Sequence, residues 1–190
     1  MAEKCKGCAV GQQVTICSVS GADFKPYCAL LSKDGFDIPC VVLTDGDPTV
    51  EDADITFAGL VRGQKLIPDG AESAAILVET QNANWDRARE LLAQQGIFVG
   101  QDTLELDCVD TLDGVMVKTY ADFSSTVKTT RFKEALDAAK AGNADSKKEV
   151  VRRIEEIGKG RFAQRLVANL AQEQPPAYIK AAIEWIVSKV

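Results

Sequence analysis

A short apolar run that ends on acidic residues constrains the fold of this chain more than any other feature. Residues 39–44, Pro-Cys-Val-Val-Leu-Thr, have the near-continuous hydrophobic character of a strand that is covered on both faces. The loosely alternating, β-branched segment Gln13 to Val19 predicts an earlier strand, and Phe24 to Ser32 predicts a helix between them, with Asp23 as its N-cap. Because helical crossovers join parallel strands, this order predicts a parallel β-α-β unit in an α/β domain.

Further segments extend the same pattern toward residue 125. The polar stretch 45–70, punctuated by Gly and Pro, predicts loops, and Ala74 to Val78 predicts another buried strand. Trp85 to Gln95 predicts an amphipathic helix that is closed by Gly96, and Ile97 to Val99 predicts a short strand after it. Strands that alternate with helices favour a mainly parallel sheet flanked by helices.

Beyond about residue 125 the pattern becomes helical. Apolar residues recur at helical spacing from Phe132 onward, and Ser146 to Glu149 has the form of a capping box ahead of a further apolar stripe. The segment Gly158 to Gly160 predicts a break between two helices. The sequence therefore predicts an α/β domain over residues 1–125 and a helical subdomain over residues 126–190.

Composition excludes several classes of protein. The 190 residues are 46% hydrophobic and 26% charged, as in a globular protein. No apolar run approaches the ~18 residues of a membrane helix, and the first residues lack the apolar core of a signal peptide, so a cytoplasmic location is expected. Because the chain contains no His, Ser-His-Asp and Cys-His catalysis are excluded. Any catalysis must use carboxylates, Lys, Tyr, Cys or a metal.

The six cysteines predict neither a disulfide framework nor a zinc site. Cys17, Cys28 and Cys40 lie in or beside apolar runs, where a thiol acts as a small hydrophobe. Cys5 and Cys8 have the spacing of zinc ligands, but the chain has neither a second such pair nor a His to complete the site.

Phosphate binding by this chain requires a local basic face or bridging metal ions, because 28 acidic residues against 22 basic ones give a net charge of −6. A basic run in the second half has the composition of a surface that follows a DNA backbone. Glu149, Glu155 and Glu156 interrupt it, so a solvated helix face explains the run at least as well. The run comprises Lys147, Lys148, Arg152, Arg153, Lys159, Arg161 and Arg165.

Asp45 and Asp47 form the sharpest candidate site. On an extended backbone, residues i and i+2 lie on the same side, so both carboxylates are expected to emerge together where the strand ends. Open α/β sheets bind ligands at the carboxyl ends of their strands, and carboxylate oxygens suit hard divalent cations. The alternative is an Asp-Gly turn in which Pro48 ends the strand. An EF-hand is excluded because Val50 occupies the invariant Gly position, and a P-loop because no Ser or Thr follows Gly158 to Gly160.

Four stretches of the chain resemble the TOPRIM region of the overcoming-lysogenization-defect (OLD) family of nucleases. The paired aspartates are common to TOPRIM proteins, whereas the Thr-Leu-Glu and Lys-Gly-Arg-Phe-Ala stretches are more particular to this family. The resemblance implies a TOPRIM-like, mainly parallel sheet flanked by helices, with a C-terminal helical subdomain. The stretches are VTICSVSGADFKPYCALLSKDGFDIPCVVLTDGDP, GIFVGQDTLELDCV, GKGRFAQRLVANL and PPAYIKAAIEWIV.

The resemblance also implies functional residues. Asp45 and Asp47 are expected to hold Mg²⁺ or Mn²⁺, Glu105 to contribute to the metal cluster, and Lys159 to stabilise the phosphate. Two metal ions ~4 Å apart can activate a water and neutralise a leaving oxygen without any His. Asp45 and Lys159 are therefore the expected catalytic residues, and Asp45, Asp47 and Glu105 the expected metal ligands. No organic cofactor is expected.

The expected partners follow from the same resemblance. DNA is the expected substrate, an ATPase domain is expected upstream in the full-length protein, no membrane partner is expected, and a homodimer is among the assemblies allowed.

TOPRIM domains begin with a strand that ends in a catalytic Glu, whereas residues 1–12 contain one acid, Glu3, outside any recognisable strand. The TOPRIM-like domain is accordingly expected to be truncated at its N-terminus.

The sequence thus predicts a metal-dependent DNA endonuclease or nicking domain, whose site is incomplete if the first Glu motif is missing. One alternative is a haloacid-dehalogenase-type phosphatase, because residues 41–49 fit its first motif with Asp45 as nucleophile and Asp47 as general acid. A β-α unit precedes that motif, however, which is unusual for such phosphatases. The other alternative is a folded, non-catalytic interaction module. In plainer interpretations, Glu105 lies on the solvent face of a strand and Lys159 is a helix C-terminal cation.

Overall fold

The apolar run before the paired aspartates forms a strand, and it belongs to the first of two compact units. The computed structural model describes residues 14–19, 23–51 and 54–189. The first unit comprises residues 1–101 with 178–190, and the second comprises residues 102–177. The first contains α1 (Lys25–Leu31), β1 (Val42–Thr44), β2 (Pro48–Glu51), β3 (Asp54–Phe57), α2 (Ala58–Gln64), α3 (Ala71–Gln81), α4 (Trp85–Gln94) and β4 (Ile97–Val99).

The second unit is made of helices alone within its described residues. They are α5 (Leu104–Asp107), α6 (Val109–Ala121), α7 (Thr126–Lys140), α8 (Ala144–Ile157) and α9 (Lys159–Asn169). A last helix, α10 (Ala177–Val187), follows residues Pro175-Pro176 and lies in the first unit from residue 178 onward. None of the described helices is both long and apolar enough to cross a membrane.

The predicted α/β class with a parallel sheet is confirmed. β1 and β4 pair in parallel, with Val42 opposite Ile97 and Thr44 opposite Val99. Both strands consist mainly of β-branched and aromatic residues, which suit a pleated, buried surface. Helices α2, α3 and α4 cover this pair with apolar side chains. The buried cluster of the first unit comprises Val42, Leu60, Ile76, Ala88, Leu92, Ile97 and Val99.

The strand predicted at residues 13–19 is wrong. Residues 14–19 adopt no helix or strand, Ile16 is 90% exposed, and Cys17 is exposed instead of acting as a buried hydrophobe. A strand needs a neighbouring backbone for its hydrogen bonds, and the parallel partner of β1 among the described residues is β4. The predictions that concern Glu3, Cys5, Cys8 and Gln13 lie outside the described residues.

The helix predicted at residues 24–32 is confirmed as α1, but its N-cap is not Asp23. Phe24 occupies the N-cap position without a side-chain hydrogen bond, and Pro26 lies in the first turn. Pro fits there because its fixed φ suits a helix and its missing N–H is not needed. Cys28 packs against the first cluster, and burial raises the pKa of its thiol. It behaves as the small hydrophobe that was predicted.

The stretch 45–70, predicted as loops, instead contains an antiparallel hairpin and a helix. β2 pairs with β3 so that Pro48 lies opposite Phe57, and α2 follows at once. The glycines of α2 serve close packing rather than a loop. A Cβ at Gly63 would lie 3.1 Å from the side chains of Ile97 and Leu92.

The buried strand predicted at Ala74 to Val78 is also wrong, because this segment lies within α3. Ile76 is its buried residue, while Leu77 and Val78 are substantially exposed. A five-residue apolar run does not distinguish a strand from a helix, and the alanines and glutamates around it are strong helix formers. By contrast, the helix predicted at 85–95 is confirmed as α4, closed by Gly96 at φ 77°.

The second unit encloses its own aromatic core. Phe132 is fully buried, stacks on Tyr120 with ring centroids 4.1 Å apart, and meets Phe162 edge-on. The predicted break at Gly158 is confirmed, with φ 97° between α8 and α9. The capping box predicted at 146–149 is wrong, because α8 begins earlier. Asn143 caps it by accepting a hydrogen bond from the Ser146 backbone N–H at 2.9 Å.

Candidate functional site

The two paired aspartates lie in a turn that follows β1, here called the aspartate turn (residues 45–47). Backbone hydrogen bonds fix this turn on two sides. The Gly100 N–H donates to the Thr44 carbonyl at 2.9 Å, which extends the parallel pairing beyond β4. The Gly59 N–H donates to the Gly46 carbonyl at 3.0 Å, which ties the turn to the start of α2. The turn is therefore held where the two parallel strands end.

Two glycines allow this close approach of backbones. A Cβ at Gly46 would lie 2.5 Å from the Gly100 carbonyl oxygen, and a Cβ at Gly59 would lie 2.0 Å from the Asp45 carbonyl oxygen. Real Cβ atoms do not approach backbone oxygens so closely, so each position requires glycine. The Asp-Gly-Asp sequence is thus a packing requirement as well as a source of carboxylates.

The turn does not continue the extended backbone of β1. Asp47 adopts φ 46°, in the left-handed region where Asp is among the few non-glycine residues found regularly. The extended backbone that was predicted through Asp47 is therefore wrong. Strand alternation does not determine where the two carboxylates lie. The Asp47 carboxylate is held by Arg62 of α2.

Arg62 of α2 binds the aspartate turn directly. Its Nη2 donates to Asp47 Oδ2 at 2.6 Å, to the Asp45 carbonyl at 3.1 Å and to Thr44 Oγ1 at 3.2 Å. The Arg62 and Asp47 side chains are 24% and 41% exposed, so the ion pair remains in contact with solvent. The guanidinium offsets part of the negative charge of the turn.

Sequence reasoning missed Arg62 because its segment was predicted to be a loop. The available signal was the spacing of Gly59 and Gly63, four residues apart on either side of Leu60 and Arg62. Small residues at this spacing share one helix face and permit close packing. Recognising that face would have placed Arg62 on a helix next to the strand end.

The aspartate turn has the donor chemistry of a hard-cation site. A carboxylate, a backbone carbonyl and a hydroxyl converge on the positive nitrogen of Arg62 within 3.2 Å. Oxygen ligands of these three types suit Mg²⁺, Mn²⁺ and Ca²⁺. Among the described residues, however, no group of three or more acidic or cysteine side chains is arranged to hold a metal ion. The turn supplies two carboxylates.

Glu105 and Lys159, predicted to act together, are neighbours in the second unit. Lys159 Nζ lies 3.5 Å from Glu105 Oε1 and 3.7 Å from Glu155 Oε1. Glu105 belongs to the short helix α5, so its interpretation as the solvent face of a strand is wrong. The Glu105 side chain is only 17% exposed, whereas that of Lys159 is 46% exposed.

Lys159 occupies an unfavourable position for a purely structural cation. It is the first residue of α9, whose first turn contains no acidic residue. The partial positive charge of a helix N-terminus disfavours a lysine there. Glu105 and Glu155 compensate this charge, while the ammonium remains half exposed. The arrangement therefore keeps a fixed positive charge within reach of a ligand.

A cysteine beside Glu105 is chemically inert. Burial, together with the negative charges of Asp107 and Glu105, raises the pKa of the Cys108 thiol to about 12. The thiolate is the nucleophilic form of cysteine, so Cys108 is not a nucleophile near neutral pH. It packs in the apolar cluster of the second unit instead.

The basic run of the second unit is largely neutralised by neighbouring groups, which favours its interpretation as a solvated helix face. The Arg152 and Arg153 guanidiniums both bind Glu149 and hold the pKa of that carboxyl at about 2. Arg161 lies 4.9 Å from the centre of the Phe123 ring. The remaining pairs are Lys147–Asp102, Arg152–Glu156 and Arg165–Asp122.

Comparisons with known proteins agree on one family. A family model described as the overcoming lysogenization defect protein-like TOPRIM domain matches residues 1–47, which include the aspartate turn. The solved C-terminal region of the Burkholderia pseudomallei OLD protein is 33% identical with a TM-score of 0.65, over 91% of this chain and 81% of that one. The corresponding region of the Xanthomonas campestris pv. campestris OLD protein is 29% identical with a TM-score of 0.64, over 92% of this chain and 80% of that one. A search of curated proteins gives no match. The chain belongs to the overcoming-lysogenization-defect (OLD) family and corresponds to the TOPRIM-containing C-terminal region of its proteins.

Proposed function

We propose that this chain hydrolyses phosphodiester bonds of DNA in a reaction that requires Mg²⁺ or Mn²⁺. Its place in the OLD family, with a TOPRIM domain, supports a nuclease. The observation that carries the metal requirement is the convergence of three oxygens of the strand end and aspartate turn on a single cationic nitrogen. In the full-length protein, an ATPase domain is expected to precede this region.

Each candidate residue has a separate task in this reaction. Asp45 and Asp47 hold the divalent cation through their carboxylates, and the family resemblance implies a metal-ligand role for Glu105. When bound, the cation supplies Lewis-acid stabilisation of charge at the phosphate. Lys159 places its ammonium against a phosphate oxygen on which negative charge develops. The carboxylates of Glu105 and Glu155 hold that ammonium in position.

Replacing Lys159 by methionine is expected to lower the rate of DNA cleavage about 10²-fold, because one preorganised charge at the transition state is lost. The rate is measured as conversion of supercoiled plasmid to nicked plasmid at saturating Mn²⁺. The matched control is Lys148→Met, which removes an exposed lysine of α8. Equal rates for the two variants would contradict the role of Lys159.

Metal dependence is tested directly with plasmid DNA and the full chain. Nicking is expected with Mn²⁺ or Mg²⁺, is expected to stop when EDTA is added, and is expected to return when excess metal is restored. Hydrolysis of p-nitrophenyl phosphate is measured in parallel. Phosphatase activity that disappears in Asp45→Asn, without any nicking, would instead establish the haloacid-dehalogenase-type reaction with Asp45 as nucleophile.

A non-catalytic interaction module is the second candidate function. It is favoured by the lack, among the described residues, of a preformed cluster of three metal-ligating side chains. This candidate predicts no nicking with any divalent metal and a Mn²⁺ dissociation constant weaker than about 1 mM, the upper end for specific protein sites.

A further inference from the structure

One nitrogen of Arg62 occupies the point at which three oxygens of different chemical types meet. These are Asp47 Oδ2 at 2.6 Å, the Asp45 carbonyl at 3.1 Å and Thr44 Oγ1 at 3.2 Å, all accepting from Nη2. A guanidinium that recognises a carboxylate for its own sake commonly uses two nitrogens in a parallel fork. Here a single nitrogen contacts all three oxygens, as a small cation would.

The remainder of the guanidinium is poorly matched to its surroundings. Arg62 Nε is buried and has no hydrogen-bond partner among the described residues. A buried donor without an acceptor costs free energy, so the hydrogen-bond geometry of Arg62 is not optimised. The contacts of Arg62 with the strand end and the aspartate turn are made by Nη2.

We propose that Arg62 is a resident counter-ion of the aspartate turn and competes with the divalent cation for Asp47. This inference rests on the proposed function, since it takes the turn as part of the metal site. Divalent cations bind oxygen ligands at about 2.0–2.6 Å, so the ion and Nη2 cannot both occupy the centre of these oxygens. Like charges at such short range also repel strongly.

Competition lowers the affinity for metal without abolishing it. The cation binds only after the contact between Arg62 and Asp47 breaks, so the apparent dissociation constant increases with the fraction of molecules in which that contact is formed. The Arg62–Asp47 pair is partly exposed to solvent, and ion pairs of this kind are weak. The expected penalty is therefore about two- to sixfold in the dissociation constant.

The test is calorimetric titration of Mn²⁺ into the full chain and two variants. Arg62→Gln is expected to bind Mn²⁺ about two- to sixfold more tightly than the wild-type chain. Arg87→Gln is the matched control, because it removes the same charge from the same unit and breaks the exposed Arg87–Glu90 ion pair. That control is expected to bind within about twofold of the wild-type chain, since distant exposed charges are screened.

The outcomes separate this inference from the proposed function. Saturable Mn²⁺ binding by the wild-type chain, with unchanged or weaker binding by Arg62→Gln, overturns the counter-ion role and leaves the nuclease proposal standing. Tighter binding by Arg62→Gln supports the inference even if the chain cleaves no DNA. If neither the wild-type chain nor Arg62→Gln binds Mn²⁺, the inference and the proposed metal site are both overturned.

A second measurement uses the wild-type chain alone, so it does not depend on whether a variant folds. In an NMR titration of the wild-type chain with diamagnetic Mg²⁺, the ¹⁵N–¹H signals of the Arg62 guanidinium are expected to shift with the same midpoint as metal binding. Guanidinium signals that stay unchanged while Mg²⁺ saturates the site would overturn the proposal. Signals of Arg87 serve as the internal control.

Discussion

Replacing Asp45 by asparagine is expected to lower the rate of metal-dependent DNA cleavage about 10³-fold. Asparagine has the same shape but lacks the negative charge that holds a divalent cation. A bound cation stabilises the transition state by several kcal/mol, and about 4 kcal/mol corresponds to a factor of about 10³ in rate. The measurement is single-turnover nicking of supercoiled plasmid at saturating Mn²⁺. The same loss is expected for Asp47→Asn.

The matched control for both variants is Asp86→Asn. Asp86 lies on α4 in the same unit, and its 84% exposed side chain forms an ion pair with Arg89. This control removes an equal charge from a solvent-exposed side chain of the same unit. Wild-type rates for Asp86→Asn are expected. Full activity of Asp45→Asn would contradict a role for Asp45 in the reaction.

Replacing Gly59 by alanine is expected to lower the free energy of unfolding by about 3 kcal/mol or more, the upper range for overpacking. The added Cβ would lie 2.0 Å from the Asp45 carbonyl oxygen and 2.8 Å from Val99 Cγ1. A backbone oxygen cannot move aside as the end of a flexible side chain can. The turn must therefore separate from α2. The measurement is equilibrium unfolding in urea, monitored by circular dichroism.

Gly114→Ala of α6 is the control for this substitution. A Cβ at Gly114 would meet nothing within 4 Å, so the higher helix propensity of alanine is expected to stabilise the chain by up to about 1 kcal/mol. The two variants thus shift stability in opposite directions although their chemistry is identical. Unchanged or increased stability of Gly59→Ala would show that α2 does not pack against the turn as described.

Short strands were predictable where the local sequence alone identified them. β1 and β4 are apolar, β-branched and bounded by turn residues, so their existence followed from the sequence, whereas the parallel partner predicted for β1 was residues 13–19 and not β4. Residues 14–19 have a similar composition but form no strand, because strand formation depends on a partner elsewhere in the chain. The error at Ala74 to Val78 has another cause. A brief apolar run carries no periodicity that separates helix from strand.

The candidate site was predictable only in part. Acidic residues directly after an apolar strand identified Asp45 and Asp47 from local sequence alone. The left-handed backbone of Asp47 was not foreseeable, since this conformation is uncommon for any residue other than glycine. Glu105 and Lys159 are far apart in sequence, and family resemblance alone linked them before the structure placed them 3.5 Å apart. Arg62 was missed because glycines that permit close packing resemble glycines of a loop.

Calorimetric titration of Mn²⁺ tests most directly whether the aspartate turn holds a divalent cation. The wild-type chain is compared with the double variant Asp45→Asn/Asp47→Asn, after circular dichroism has established that both are folded. The wild-type chain is expected to show saturable binding with a dissociation constant below about 1 mM, and the double variant is expected to show none. Equal binding by both chains, or no binding by the wild-type chain, would contradict this expectation.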